Sequence, residues 1–218
     1  MRFRSWISVI AGIAFVAGLA LAQEAKPAPK PAPKPASPAG TAATQVGGKY
    51  VKVGNNDRYQ DGKWIEVTYA RPILRQRANI FGAGADYGKT VNAGAPVWRA
   101  GANQTTKLKT EVPLVFDGKT LPAGEYDVFV DLKENAWTII FSTWPAQEKY
   151  DPANKAALWG SYGYTPDKDV LRAPMAVSAM PYSMDQFTIA FCDMTATGGT
   201  LAMMWDKTMA TVAFKVGS

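Results

Sequence analysis

The sequence has no histidine and a single cysteine, Cys192, among its 218 residues. Without histidine, the usual general base, the commonest transition-metal ligand and the usual sensor of neutral pH are all missing. A Ser-His-Asp or Cys-His catalytic machine is therefore excluded, and a zinc site would need one thiol plus carboxylates. A single cysteine also excludes an intrachain disulfide, so the core must supply the stability of the fold. We predict no cofactor and no metal.

A strong excess of one charge is also missing from most of the chain. The formal net charge is +6, but residues 1–47 hold five of the 24 basic residues and one of the 18 acidic residues. Residues 48–218 therefore carry 19 basic and 17 acidic side chains, a net charge of +2. A nearly neutral domain lacks the electrostatic footprint of a nucleic-acid-binding protein, so no nucleic-acid partner is expected.

The N-terminus carries the pattern of a secretory signal. Arg2 and Arg4 precede residues 6–22, which contain no charge, and Ala20-Leu21-Ala22 has the small-x-small form that signal peptidase reads. We predict a signal peptide over residues 1–22 and an exported protein, periplasmic or extracellular. The alternative is an uncleaved N-terminal membrane anchor, because the run is slightly long for a signal core and slightly short for a span. Contact with a membrane is expected only through this segment.

A proline-rich segment follows the predicted signal. Residues 26–29, 30–33 and 34–37 are near-copies of Lys-Pro-Ala-Pro. Proline fixes φ and disfavours helix at the preceding residue, so the segment should be extended, and it has almost nothing to bury. We predict a tether rich in Pro, Ala and Lys over residues 23–48 and a single β domain over residues 49–218. The tether is interpreted as a solvated spacer; contact of its lysines with an anionic envelope surface is the alternative.

From Lys63 onward, apolar and polar residues alternate with a period of two. Ile65, Val67 and Tyr69 share one strand face, and similar runs recur through Phe214. Such alternation is typical of half-buried strands, and turn signals such as Asp117-Gly118 and Asp206-Lys207 are expected to connect hairpins. The sequence predicts an all-β fold with little helix, an antiparallel β-sandwich or flattened barrel of roughly 8–10 strands.

Several short motifs follow one another in a recognisable order. They are Tyr69-Ala70-Arg71-Pro72, Arg77 to Gly82, Asp86-Tyr87-Gly88, Trp98 to Asn103, Leu121 to Tyr126, Trp137 to Phe141, Trp159 to Tyr162 and Asp167 to Arg172. Together they resemble an uncharacterised family of secreted bacterial β-proteins, domain of unknown function 2911 (DUF2911), over roughly residues 63–217. The resemblance implies export and a β fold, and it implies no reaction. Lys89 to Val97 lengthens the usual step from Tyr-Gly to Trp-Arg.

Two groups of side chains are candidates for binding. The first is a surface of Arg77, Tyr87, Trp98, Arg99 and Asn103, since aromatic rings combined with Arg and Asn hold sugars or carboxylate-bearing polymers. The alternative places Trp98 in the core and ties Arg99 and Asn103 to loop carbonyls.

The second group is an aromatic loop that includes Trp159 and Tyr162. Its other rings are Trp144, Tyr150 and Tyr164, with Gly160 and Gly163 between them. Exposed rings in a row would suit a glycan. Such rings could equally close one end of the sandwich.

No carboxylate pair suggests catalysis. Glu66, Glu125, Asp127 and Asp131 fall on the predicted polar faces, and Asp127 and Asp131 would be about 13 Å apart, too far for glycoside hydrolysis. We predict no catalytic residues. The leading hypothesis is an exported, envelope-associated, non-catalytic binding or interaction domain, with an envelope glycan, another envelope polymer or a protein as partner. The alternatives are a structural subunit of an exported assembly and, with less support, a carboxylate-dependent hydrolase.

Overall fold

The computed structural model describes Pro33 and residues 35–217. The predicted signal peptide, residues 1–22, and most of the proline-rich repeats lie outside the described residues. None of the helices in the described part is long and apolar enough to span a membrane. Its strands are β1 (Ala39–Val46), β2 (Lys49–Val53), β3 (Asn56–Gln60), β4 (Lys63–Ala70), β5 (Thr106–Thr110), β6 (Leu114–Phe116), β7 (Lys119–Leu121), β8 (Gly124–Asp131), β9 (Thr138–Ser142), β10 (Asp169–Pro174), β11 (Ala176–Thr195) and β12 (Gly198–Val216). Its helical turns are α1 (Lys89–Asn92) and two 3-10 turns, Gly84–Asp86 and Pro166–Lys168.

The strands form two packed antiparallel sheets and a separate hairpin. The larger sheet has the order β1-β4-β5-β8-β9-β10, the smaller has the order β11-β12-β6-β7, and β2 pairs with β3. The predicted all-β sandwich is confirmed, and the sheets do not close into a barrel. Ten of the strands described above belong to the two packed sheets.

The core lies between the two sheets and follows the period-two pattern. Ile65 and Val67 of β4 are 0% and 1% exposed, whereas Trp64 on the opposite face is 50% exposed. They face Phe187 of β11 and Phe214 of β12, which belong to the same buried cluster. Burial of apolar surface on this scale is the main source of stability in a chain without disulfides.

A bulge makes one sequence prediction wrong. Asp206-Lys207 does not connect two hairpin strands, because β12 runs without a break from Gly198 to Val216. Asp206 adopts a φ of 52° and the register with β11 shifts beside it. From Thr208 to Asp206 of β12, the partner in β11 advances from Ala179 to Met184, so the surplus residues of the bulge lie in β11. In β12, Trp205 and Ala210 are both buried, although a strict period of two would place them on opposite faces.

The start of the domain also differs from the prediction. Residues 39–46, assigned by sequence to the tether, form β1 and pair with the whole of β4. Only Val46 of this strand is fully buried. Its small residues, Ala, Gly and Thr, give no alternation to detect, and backbone hydrogen bonds to an exposed sheet edge hold it in place.

A long connection covers the outer face of the larger sheet. Residues 143–168, here named the lid, join β9 to β10. Beneath the lid, Phe129 and Ile140 are both 0% exposed although they lie on the predicted polar faces of their strands. They form a second cluster with Val97, Leu158 and Tyr164. The aromatic loop therefore covers a sheet face, and the prediction that it closes one end of the sandwich is wrong.

Candidate functional site

Trp98 is a core residue. Its side chain is 1% exposed, and its backbone exchanges hydrogen bonds with Val130 of β8 at 2.9 and 2.8 Å. The indole Nε1–H donates to the carbonyl of Gly101 at 3.2 Å. Its ring packs edge-on against Phe187, with centroids 4.9 Å apart, and parallel to Trp205 at 6.3 Å. For Trp98 the structure favours the core interpretation.

Tyr87 also belongs to the packing of the fold. Its hydroxyl accepts a hydrogen bond from Trp137 Nε1–H at 2.8 Å, and its ring stacks on Phe81. Partial burial raises the pKa of its phenol. Tyr87 therefore supports the aromatic core and is absent from the cleft described below.

The chain turns sharply after Trp98, and this turn presents Arg99. Ala100 and Asn103 adopt positive φ values of 50° and 61°, and Thr106 Oγ1–H donates to the Ala100 carbonyl at 2.7 Å. A Cβ on Gly101 would lie 2.8 Å from the carbonyl oxygen of Ala70, so only glycine fits there. The small residues of the motif allow the tight turn, which leaves Asn103 exposed and directs Arg99 against the lid.

The lid holds the Arg99 side chain in place. Arg99 is 7% exposed, its guanidinium carbon lies 4.9 Å from the centroid of the Tyr162 ring, and its Nη1 donates to the Asn103 carbonyl at 2.9 Å. Gly160, with a φ of +64°, lies so close that a Cβ there would overlap the guanidinium. Thr105 Oγ1–H donates to the Gly160 carbonyl at 2.6 Å and fixes the contact.

Arg99 lacks a counter-ion within the described residues. No carboxylate oxygen of this part of the chain lies within 4.0 Å of its guanidinium. Of the five N–H donors of an arginine side chain, only Nη1 has a protein acceptor among these residues. Buried charges are normally paired, because an unpaired charge loses its hydration without compensation. Arg99 departs from that rule.

Arg99 forms part of a cleft of about 340 Å³, here named the arginine cleft. Arg77 stands on its rim, with its guanidinium carbon 5.8 Å from the Trp205 ring centroid. Two hydrogen bonds, from Nε to the Leu74 carbonyl and from Nη2 to the Ile73 carbonyl, orient Arg77. The described residues that line the cleft include both arginines and no acidic side chain.

Five of the seven predicted binding residues meet at the arginine cleft, and two do not. Arg77, Trp98, Arg99, Asn103 and Tyr162 line the cleft. Tyr87 belongs to the core, as described above. Trp159 lies in a neighbouring groove formed by lid residues, which Tyr162 also borders.

The lengthened loop at residues 89–97 forms one wall of the arginine cleft. Thr90, Val91 and Ala93 line it, and the Tyr162 hydroxyl donates to the Ala93 carbonyl at 2.9 Å. These residues and Trp205 were not among the predicted binding residues. The unusual loop length was the one signal that could have pointed to them.

Asp127 is not on a solvated face as predicted. It is 5% exposed beside the start of the lid, and burial raises its pKa to about 7. Its Oδ2 atom has no hydrogen-bond partner in the described structure. Glu125, two residues earlier, instead pairs with Lys109 at 2.9 Å, and this exposed pair lowers the pKa of Glu125. The described residues contain no cluster of three side chains suited to hold a metal ion.

The fold and the site define a class: a β-sandwich with a loop lid, beside which a buried arginine has no carboxylate partner among the described residues. The family described as protein of unknown function (DUF2911) matches residues 52–214, and the chain belongs to it. The resemblance noted in the sequence is thereby confirmed. No curated protein and no solved structure matches the chain significantly.

Proposed function

We propose that this chain is an exported, envelope-associated, non-catalytic binding domain whose ligand is an envelope glycan or polymer bearing carboxylates. The arginine cleft is the binding site. The observation that carries the proposal is Arg99, which is 93% buried and has no carboxylate partner among the described residues while it borders an open cleft. A ligand carboxylate would supply the missing partner.

The chemistry of the cleft suits a carboxylate better than a neutral group. Arginine offers a planar fork of donors that matches the two oxygens of a carboxylate. Hydrogen bonds to charged groups contribute about 1.5–3 kcal/mol each. Arg77 adds a second positive charge at the rim, and Tyr162, which is 44% exposed, adds ring surface.

Non-catalytic binding is favoured by the chemistry that the chain offers. Histidine is missing from the sequence. Glu125 is engaged with Lys109, and neither it nor Asp127 lines the arginine cleft. General acid–base chemistry would need titratable groups in the cleft itself.

The binding experiment uses acidic oligosaccharides and their carboxyl-reduced forms, which differ only in charge. We would titrate the full-length chain by calorimetry with glucuronate-, galacturonate- and muramate-containing oligosaccharides. We expect binding of at least one acidic form and at least tenfold weaker binding of its reduced form. Absence of binding by all acidic forms, or equal binding of both forms, would contradict the proposal.

Two arginine variants locate the binding. Arg99→Gln should lose at least tenfold in affinity for the acidic oligosaccharide, because it removes the positive charge while it keeps a polar side chain. Arg75→Gln is the matched control, since Arg75 is exposed on the neighbouring loop and does not line the cleft. Equal losses in the two variants would indicate general charge attraction and would contradict a site at Arg99.

Export has its own test. Fractionation of cells that produce the chain should place it outside the cytoplasm, and N-terminal sequencing should begin at Gln23. Retention of residues 1–22 together with membrane association would favour the anchor. A cytoplasmic chain that begins at Met1 would contradict export.

One observation favours the alternative of a structural subunit. Nearly every residue of the β2–β3 hairpin is exposed, and Tyr50 is 75% exposed. Exposed strand edges with apolar side chains are common contact surfaces. Sedimentation of the chain in envelope extracts distinguishes the two functions: a stable complex that Tyr50→Lys dissolves supports assembly, and a monomer counts against it.

A further inference from the structure

A second groove lies within the lid itself, beside the arginine cleft. This lid groove, of about 580 Å³, is lined by Tyr150, Trp159 and Tyr162 among others. Tyr150 is 63% exposed, and its ring centroid lies 5.8 Å from that of Trp159, at 55° between planes. Two inclined aromatic rings at an open groove provide flat apolar surfaces of the kind that sugar rings cover.

The polar groups of the lid groove are largely occupied by the lid itself. Both Nε2 hydrogens of Gln147 go to the carbonyls of Asn154 and Ala157, each at 2.9 Å. Its Oε1 accepts from the Asp151 N–H at 2.8 Å. Asp151 and Lys155, one of each sign, are the charged residues that line the groove. The lid groove is therefore balanced in charge, unlike the arginine cleft. A ligand in it would mainly contact the aromatic rings.

Tyr162 connects the two sites. It lines both the lid groove and the arginine cleft, and it is 44% exposed. Its ring lies over the Arg99 guanidinium, and its hydroxyl is anchored on the Ala93 carbonyl. Because the guanidinium contacts one face of the ring and Ala93 holds its hydroxyl, Tyr162 forms a fixed boundary between the two sites.

We propose that the two sites form one extended groove for a glycan chain. A carboxylate-bearing sugar occupies the arginine cleft, and a neutral sugar of the same chain lies on Tyr150 and Trp159. This inference rests on the proposed function, since it assumes the carboxylate at Arg99. It adds that a single sugar acid fills only part of the site, and that affinity depends on the length of the chain.

The probes are glucuronate and the tetrasaccharide of hyaluronan, in which glucuronate alternates with a neutral N-acetylated sugar. With the full-length chain we expect calorimetry to show at least tenfold tighter binding of the tetrasaccharide than of glucuronate. The tetrasaccharide adds contacts in the lid groove that glucuronate lacks, and once its glucuronate is bound this second contact forms within the same complex. Equal affinity for the two probes would overturn the inference.

Variants separate the subsites. Trp159→Ala should weaken tetrasaccharide binding at least tenfold and leave glucuronate binding within twofold. Trp64→Ala is the matched control, because Trp64 is 50% exposed on β4 and lines neither site. Tyr150→Ala, at a more exposed ring, is the second variant should Trp159→Ala unfold the lid. If both lid variants bind the tetrasaccharide like the unmodified chain, the extended groove is wrong while the arginine cleft stands. If neither probe binds, the extended groove is wrong, and the proposed function is then decided by the galacturonate- and muramate-containing oligosaccharides.

Discussion

The two faces of the six-stranded sheet are buried in different ways. The inner face packs against a second sheet, and its apolar residues, such as Ile65 and Val67, alternate along each strand. The outer face of β8 and β9 is covered by the lid, where Phe129 and Ile140 pack against Leu158 and Tyr164. One face is closed by regular structure, and the other is closed by a loop.

This difference explains where the candidate site lies. A sheet on a sheet leaves little space between side chains, whereas a loop on a sheet leaves clefts along its margins. Arg99 lies at such a margin, between the turn that follows Trp98 and the backbone of Gly160. The site therefore lies where the lid, rather than a second sheet, covers the six-stranded sheet. The variants below test the sheet-covered inner layer and the lid-covered irregular layer separately.

The largest effect is expected in the inner layer. Trp98→Ala should lower the free energy of unfolding by about 4 kcal/mol, because it opens a cavity among aromatic rings that cannot collapse. Leu158→Ala in the lid layer should cost about 2 kcal/mol, since a loop can settle around the loss. Urea denaturation measures both. A lid variant as costly as Trp98→Ala would show that the two layers are equally rigid.

The next effect depends on pH and reports how well the lid excludes water. The pKa of Asp127 is about 7 in the folded chain, against 3.8 for an ordinary aspartate. Between these values the folded state keeps a proton that the unfolded state has lost. The free energy of unfolding therefore falls as pH rises from about 4 to 7 and stays low above that.

Asp127→Asn removes this dependence. The free energy of unfolding of Asp127→Asn should equal that of the unmodified chain at pH 4. At pH 8 it should exceed that of the unmodified chain by as much as about 4 kcal/mol. Glu125→Gln, on the same strand face and exposed, is the control and should show no such gain. Urea denaturation at a series of pH values measures the difference. If the free energies of unfolding of the Asp127 variant and the unmodified chain change with pH in parallel, water reaches the carboxylate and the prediction is contradicted.

A smaller effect tests the contact between the lid and the Arg99 side chain. Gly160 and Gly163 both adopt positive φ, 64° and 80°, but a Cβ at Gly160 would overlap Arg99 while one at Gly163 would lie 3.7 Å from Leu158. Alanine at either position meets the same backbone strain, about 1 kcal/mol. Gly160→Ala should cost about 2 kcal/mol more because it displaces the guanidinium. Equal thermal destabilisation of the two variants would mean that Arg99 is free to move.

The smallest effect separates the two arginines. Arg77 is exposed and already donates to two backbone carbonyls, so Arg77→Gln should reduce affinity for the acidic oligosaccharide only about twofold to fivefold. The same calorimetric titration as for Arg99→Gln measures it. A loss as large as that of Arg99→Gln would place the carboxylate at the rim of the cleft.

The regular layer could largely be predicted from the sequence, and the irregular layer could not. Alternation identified β4, β8 and β9, and Asp117-Gly118 does connect β6 to β7 with positive φ at both residues. Alternation failed at Asp206, where a register shift against β11 interrupts the period-two pattern of β12. It gave no signal for β1, whose small residues bury little.

The candidate site was only partly visible for a related reason. Local chemistry singled out Arg77, Arg99 and Asn103, because these side chains are polar beside aromatic residues. The contact of Arg99 with Gly160 joins two distant loops, and no local pattern encodes it. The same holds for Asp127, whose burial depends on a lid that begins after the next strand.

The proposed function requires that a ligand carboxylate supply the partner that the Arg99 guanidinium lacks among the described residues. The most direct measurement is a crystal structure of the chain with the tetrasaccharide of hyaluronan. We predict a glucuronate carboxylate within about 2.7–2.9 Å of the Arg99 guanidinium. A glycan seated elsewhere, with the Arg99 donors filled by water or by the chain's own oxygens, would contradict the account.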